Sequence, residues 1–155
     1  MFEIRKPPSP LDAVSPSRSV FLAGSIEMGQ AEDWQTSVAN SLCDLDLTVL
    51  NPRRDEWDAS WEQSIHNPNF REQVEWELAA QERAGTIVMY FSPATTAPIT
   101  LLELGLFARS GKAIVCCPDG FWRKGNVEIV CARYGVPMVE TLGDLSESVR
   151  SRLAT

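Results

Sequence analysis

Short apolar runs alternate with helix-forming segments along most of the chain, and this alternation constrains the fold more than any other feature. The apolar runs predict buried strands at 19–23, 47–50, 86–91 and 113–117, with a shorter fifth strand at 137–140. Helical spacing or composition predicts helices at about 32–45, 70–83, 98–110, 126–134 and 145–153. Such alternation is typical of a parallel sheet with helices on both faces. We therefore predict an α/β fold with about five parallel strands.

The distribution of prolines sets the predicted domain limits. Residues 1–18 contain four prolines and several serines, which predicts an extended or partly disordered N-terminal arm. Residues 19–155 hold all the predicted strands and helices without a repeat or a linker, so we predict a single domain. Residues 51–69 form a long loop in which Trp57, Trp61 and His66 either wall a pocket or pin the loop down.

Composition and charge exclude several classes of function. The chain has 155 residues, of which 44% are hydrophobic and 23% charged, as in an ordinary soluble domain. Its net charge of −7 argues against a nucleic-acid partner, because phosphate binding needs a basic surface. No run reaches the ~20 apolar residues of a membrane span, and the first residues lack the apolar core of a secretory signal. We expect a cytoplasmic protein with no membrane partner.

The cysteines and the single histidine give no support for a metal site. Cys43, Cys116, Cys117 and Cys131 have neither CxxC spacing nor partner histidines, so we expect reduced, buried thiols. Two of them are adjacent in a predicted strand and should face opposite sides of the sheet. Because His66 is the only histidine, a histidine-based metal site is not expected.

Ligands of parallel sheets bind beyond the carboxyl ends of the strands, so the loops after residues 23, 50, 91 and 117 are expected to line a site. The first of these loops begins with Gly24 and Ser25. It matches neither the GxGxxG fingerprint nor the phosphate-binding loop with its lysine. Taken alone, it is either a ligand contact or a plain strand-to-helix turn.

Two carboxylates stand out by their surroundings. Glu103 lies among leucines in a helix that is apolar nearly all round, and a carboxylate there costs free energy unless it is bonded or functional. Pro98 places it about one and a half turns into that helix, where the helix dipole still favours a negative charge. Glu77 lies beside Trp76 on the preceding helix. Two carboxylates at one sheet edge suit displacement at an anomeric carbon, where one attacks and the other handles a proton.

Several motifs, taken in order, resemble the nucleoside 2-deoxyribosyltransferase family. They are VFLAGSI at 20–26, NPRR at 51–54, WE at 76–77 and PITLLELG at 98–105. The resemblance runs from about residue 20 to residue 140. It implies a flavodoxin-like fold, a homo-oligomer, no metal or organic cofactor, and a role in nucleoside metabolism such as purine salvage.

The resemblance also implies roles for individual residues. Glu103 falls on the family's nucleophile and Glu77 on its second acidic residue, which is often Asp in relatives. GNVEIV at 125–130 resembles the segment whose asparagine binds the sugar 5′-hydroxyl in a neighbouring subunit, which places that role on Asn126. Further substrate-binding positions implied by the matching motifs are Phe21, where many relatives have a tyrosine that bonds the nucleophile, and Gly24, Ser25, Asn51 and Arg53.

Two departures from related 5′-monophosphate N-glycosidases bear on the substrate. Those relatives hold phosphate with an arginine and a serine, and the matching positions here are Glu27 and Ala97. A carboxylate at a phosphate pocket repels the ligand, which favours an unphosphorylated nucleoside. Some relatives handle the base with an aspartate that also falls on Ala97, so the base-side chemistry is less defined than the sugar-side chemistry.

The expected activity is base exchange between 2′-deoxyribonucleosides and free nucleobases through a covalent deoxyribosyl-Glu103 intermediate. Attack by water in place of a base would instead make the protein a nucleoside or nucleotide N-glycosidase, and the sequence separates the two poorly. A third hypothesis is a catalytically silent nucleoside-binding domain on the same fold.

Overall fold

The computed structural model describes residues 1–26, 32–55 and 58–155. Within these ranges the strands are β1 (Glu3–Arg5), β2 (Ser19–Gly24), β3 (Thr48–Leu50), β4 (Thr86–Tyr90), β5 (Ala113–Cys116) and β6 (Met138–Val139). They form one all-parallel sheet in the order β1-β3-β2-β4-β5-β6. The predicted flavodoxin-like α/β fold is confirmed, with one strand more than expected.

Five helices in the described residues cover both faces of the sheet. They are α1 (Trp34–Ser41), α2 (Pro68–Arg83), α3 (Pro98–Phe107), α4 (Lys124–Tyr134) and α5 (Leu142–Ala154). Helices α2, α3 and α4 pack on one face of the sheet, and α1 and α5 pack on the other. Gly135 ends α4 with φ of 67°, a left-handed conformation that glycine adopts easily.

The additional strand, β1, comes from the N-terminal segment and pairs with β3, where Ile4 lies opposite Val49. The sequence analysis did not predict it, because the strand has one apolar residue between two charged ones and lies among prolines. The same segment packs on the domain: Val14 is buried in the core, and Trp76 Nε1 donates to the backbone oxygen of Ser9 at 2.8 Å.

The prediction for the cysteines is confirmed for three residues and wrong for the fourth. Cys116, Cys117 and Cys131 are buried, and the first two belong to core layers on opposite faces of the sheet. Cys43 is exposed. The reason is that α1 ends at Ser41, before the predicted limit near residue 45, so Cys43 falls in the turn that follows the helix.

The order of the strands places a crevice at the carboxyl end of β2. This strand lies between β3 and β4, so the chain first crosses from β2 to β3 on one side and then from β3 to β4 on the other side. Open α/β sheets bind ligands at the point where the strand order reverses in this way. Gly24 ends β2 there against α1, and a Cβ added to it would lie 2.3 Å from the Trp34 ring. Among the described residues, no helix is both long and apolar enough to cross a membrane.

Candidate active site

A pair of carboxyl groups lies between α2 and α3 on the same face of the sheet. Glu103 of α3 is only 6% exposed, and Glu77 of α2 is partly buried. One amide group connects the two helices: Gln81 Nε2 donates to Glu103 Oε2 at 2.6 Å and to the backbone oxygen of Glu77 at 3.1 Å. The structure therefore brings together the two carboxylates that the sequence selected.

A second glutamine holds Glu77. Gln73 Nε2 donates to Glu77 Oε2 at 2.8 Å and to the backbone oxygen of Pro52 at 2.8 Å. Since Gln73, Glu77 and Gln81 are spaced by four residues, they lie on the same side of α2. This row of side chains connects the loop after β3 to the carboxyl pair.

Both carboxyl groups hold protons more strongly than ordinary glutamates. Burial raises the pKa of Glu77 to about 7, although the hydrogen bond from Gln73 opposes the change. Burial and, secondarily, the charge of Glu77 raise the pKa of Glu103 to about 8, against the hydrogen bond from Gln81. The two groups interact, so their protons belong to the pair. Near neutral pH the pair therefore keeps at least one proton and is suited to acid–base work.

The start of α3 determines where Glu103 points. Pro98 occupies the first turn, and the face formed by Thr100, Glu103 and Leu104 is buried. Ala97 precedes the helix with φ of 45°, a left-handed conformation that is uncommon for alanine, and it supplies no capping side chain. The carboxyl group consequently enters the space between the helices, within two turns of the positive end of the helix dipole.

Three of the predicted substrate-binding residues lie along β2 and its end. Phe21 is buried in the core layer that also contains Trp76 and Leu104, which puts it on the same face of the sheet as the carboxyl pair. Its ring has no group that donates a hydrogen bond to Glu103. Gly24 and Ser25 are partly exposed at the crevice. Glu27, which stands where related glycosidases have a phosphate-binding arginine, lies outside the described residues, as does Trp57.

The loop after β3 is fixed by contacts within the chain. Asn51 is buried, and its Oδ1 accepts a hydrogen bond from the backbone nitrogen of Arg53 at 3.0 Å. The guanidinium group of Arg53 turns to the start of α1, where it donates to the backbone oxygen of Glu32 at 3.1 Å and pairs with Asp33 at 3.4 Å. Arg53 is therefore directed to α1, which packs on the face of the sheet opposite Glu103.

The next arginine is held in the same way. Arg54 pairs with Glu72 on α2 at 2.5 Å, and its guanidinium carbon lies 5.5 Å from the centre of the Trp61 ring. Trp61 thus packs against the loop after β3, whereas His66 is exposed. Within the three described ranges, no group of three His, Cys, Asp or Glu side chains is placed to hold a metal ion.

Asn126 lies on a different helix from the carboxyl pair, at a groove beside α3. It is exposed on α4 and borders a groove of about 210 Å³ with α3 residues Leu101, Leu104 and Gly105. Leu101 and Gly105 each lie two residues from Glu103, which is about 200° around the helix axis. Two of the three α3 residues at the groove, Leu101 and Gly105, therefore point away from the Glu103 carboxyl group, and Leu104 lies between the groove and the buried face.

The sequence analysis missed the two glutamines that contact the carboxyl groups. Gln73 and Gln81 are both buried, at 3% and 0% exposure, although glutamine is usually a surface residue. Their spacing of four residues on each side of Glu77 is a signal that was available in the sequence, because it places all three side chains on the face of α2 that also carries Trp76 and Ala80.

Comparison with protein families adds to this geometry. The model for the nucleoside 2-deoxyribosyltransferase-like family matches residues 17–121, more than half of the chain. The chain belongs to this family. The matched range of this family member includes β2 to β5 with Glu77 and Glu103, and it ends before Asn126. No curated protein is similar enough to this family member to count as a match.

Proposed function

We propose that the chain is an N-deoxyribosyltransferase, which exchanges the base of 2′-deoxyribonucleosides through a covalent intermediate on Glu103. The observation that carries the proposal is that Gln81 links the buried carboxyl group of Glu103 to the backbone of Glu77, whose own carboxyl group is close enough to raise the pKa of Glu103. Double displacement at an anomeric carbon requires a nucleophilic carboxylate and a nearby acid. Membership of the family supports the same chemistry at the level of the enzyme class.

The proposed first step forms a bond between Glu103 and C1′ of the sugar. The C1′–N bond breaks, its electron pair leaves with the base, and the base takes up a proton that Glu77 is placed to supply. Positive charge develops on the sugar during this step and favours the ionised form of Glu103, so the proton of the pair moves towards Glu77. In the second step another base attacks C1′, its N–H proton passes to Glu77, and the bond between C1′ and Glu103 breaks, which gives a new nucleoside of the same configuration.

The sugar at this site is proposed to be 2-deoxyribose. A 2′-hydroxyl group withdraws electrons from the oxocarbenium-like transition state and crowds the approach of Glu103.

We propose that the active form is a homo-oligomer, in which Asn126 binds the 5′-hydroxyl of a sugar held by another subunit. The position of Asn126 at a groove where most of the α3 residues point away from Glu103 supports a contribution in trans. Exposed apolar side chains on the same layer of helices support association: Ile99, Leu102 and Leu106 form a stripe on α3, and Ile129 lies on α4. Most homo-oligomers are symmetric, so each of two facing subunits would complete the site of the other.

One incubation tests the proposed activity against its alternatives. Deoxyinosine is incubated with the protein, with and without free adenine, and the products are separated by chromatography. Formation of deoxyadenosine only when adenine is present is the expected result. Release of deoxyribose and hypoxanthine at the same rate in both mixtures would identify a hydrolase instead. Binding of deoxyinosine without any turnover would identify a nucleoside-binding domain.

A further inference from the structure

The two buried glutamines on α2 leave their carbonyl oxygens without hydrogen bonds. Among the described residues, Gln73 Oε1 and Gln81 Oε1 are both buried and unpartnered. In each side chain the amide nitrogen faces a carboxyl group instead. A buried carbonyl without a partner is unfavourable, so this orientation is stable only where the N–H group gains more from its own partner. An ionised carboxylate is such a partner, because it accepts charge-assisted hydrogen bonds.

Gln81 is the described side chain that donates to Glu103. Phe21, in the same core layer, has no donor, and Glu77 brings a carboxyl group of the same kind. Lys112 approaches from the loop before β5, but its Nζ binds the backbone oxygens of Gln81 and Glu82 at 2.9 and 2.8 Å. This ammonium group therefore fixes the end of α2 on which Gln81 lies. The direct hydrogen bond to the Glu103 carboxyl group comes from an uncharged amide.

We propose that Gln81 is a positioning residue, which favours the ionised form of the Glu103 carboxyl group and orients Oε2 between α2 and α3. The role in attack rests on the function proposed above, whereas the effect of Gln81 on ionisation does not. Gln81 Nε2 also donates a hydrogen bond to the backbone oxygen of Glu77 at 3.1 Å, and this second bond limits rotation of the amide group. Gln81 thus couples the position of the nucleophile to the helix that carries the second acid.

The groups that face Glu103 make the direction of the effect clear. Burial and the charge of Glu77 both raise the pKa of Glu103, and the hydrogen bond from Gln81 lowers it. Removal of the donor should therefore raise that pKa further. A hydrogen bond to a charged group corresponds to a shift of about one pH unit or more.

The test is a titration of the carboxyl carbons by NMR in protein labelled with ¹³C at the glutamate carboxyl groups. The signal of Glu103 is assigned by its loss in Glu103→Gln. Gln81→Met keeps the length of the side chain without its donor, and Gln81→Leu is a second variant in case the first does not fold. Glu82→Gln is the matched control, because it alters an exposed residue next to Gln81 on the same helix.

We expect the midpoint of the Glu103 titration to move up by at least about one pH unit in either Gln81 variant and to stay in place in Glu82→Gln. In the transfer assay, the rise of kcat/KM with pH should move by the same amount, with kcat reduced and KM little changed. An unchanged midpoint in folded Gln81→Met or Gln81→Leu would overturn the proposal, whether or not the protein transfers deoxyribose. A shifted midpoint in a protein without nucleoside turnover would support the effect on ionisation and reject the proposed function.

Discussion

Gln81 Nε2 lies 2.6 Å from Glu103 Oε2, and this hydrogen bond joins α2 to α3 where each helix carries a buried or partly buried carboxyl group. Burial raises the pKa of both groups, and the amide opposes that effect at Glu103. The pair therefore keeps at least one proton near neutral pH, and the amide of Gln81 favours ionisation of Glu103 within it. Separating the roles of two nearby carboxyl groups is the requirement of retaining chemistry at an anomeric carbon.

The raised pKa of Glu103 predicts a cost to stability at high pH. Burial takes this pKa from 4.5 to about 8, so between these values the folded protein binds more protons than the unfolded chain. The contribution of protonated Glu103 to the free energy of unfolding is fully present below pH 4.5. It falls as the pH rises to about 8, by at most about 1.4 kcal/mol per pH unit. Glu103→Gln should lose this part of the pH dependence and be more stable than the wild type near pH 8.

Urea denaturation across that pH range checks this prediction. Glu75→Gln is the control, because Glu75 is exposed and pairs only at the surface with Arg71. Equal slopes of unfolding free energy against pH for the wild type and Glu103→Gln would show that Glu103 is an ordinary solvated carboxylate.

A second prediction concerns the charge of Glu77. Glu77→Gln removes one of the two causes that raise the pKa of Glu103, so the rise of kcat/KM with pH should move to lower pH. The maximal rate should fall by a factor of about 10² to 10⁴, because the departing base loses its proton donor. The measurement is a pH profile with deoxyinosine. If the rise of kcat/KM with pH stays in place or moves to higher pH, the charge of Glu77 does not raise the pKa of Glu103.

Much of the fold and part of the site follow from local patterns. The alternation of apolar runs with helices predicts five of the six strands, and the apolar neighbours of Glu103 predict that its environment is unusual. The other glutamates of α2, Glu72, Glu75 and Glu82, are exposed, as is usual for this residue type. These strands and side-chain environments depend on residues that are close in the chain, so they can be predicted from the sequence alone.

The remaining features depend on which elements become neighbours. Gln81 contacts Glu103 across 22 positions of sequence. Its place on the Trp76 face of α2 indicates burial, but the identity of its partner depends on how α2 packs against α3. Strand β1 forms because β3 offers a free edge, although its own residues carry little strand signal. The guanidinium group of Arg53 binds the start of α1, a partner that only the packed loop provides, and its role at the substrate stays a prediction.

A third prediction tests whether sites are shared between subunits. Glu103→Ala and Asn126→Ala should each be inactive alone, but a mixture that exchanges subunits should regain activity. A mixed dimer has one site with both wild-type residues, and random exchange then restores about a quarter of the wild-type rate. The assay is deoxyadenosine formation after exchange. If Asn126 served the site of its own subunit, every site in the mixture would lack one residue and the mixture would stay inactive.

A fourth prediction concerns the 5′ end of the substrate. A 5′-monophosphate carries about two negative charges, whereas Arg53 and Arg54 are already paired with Asp33 and Glu72. Deoxyguanosine should therefore exceed its 5′-monophosphate by at least about tenfold in kcat/KM, equivalent to about 1.4 kcal/mol. Steady-state kinetics with both substrates decides this. A preference for the monophosphate would make a nucleotide N-glycosidase the better assignment.

The most direct test of the account is the isolation of the covalent intermediate. Wild-type protein is mixed with deoxyinosine without an acceptor base, quenched with acid within milliseconds, and digested for mass spectrometry. We expect a burst of hypoxanthine close to one equivalent per site, with a deoxyribosyl group on the peptide that contains Glu103. Glu103→Gln should show neither the burst nor the adduct. A deoxyribosyl group on another residue, or hypoxanthine release by Glu103→Gln at more than about a tenth of the wild-type rate, would contradict the assignment of Glu103 as nucleophile.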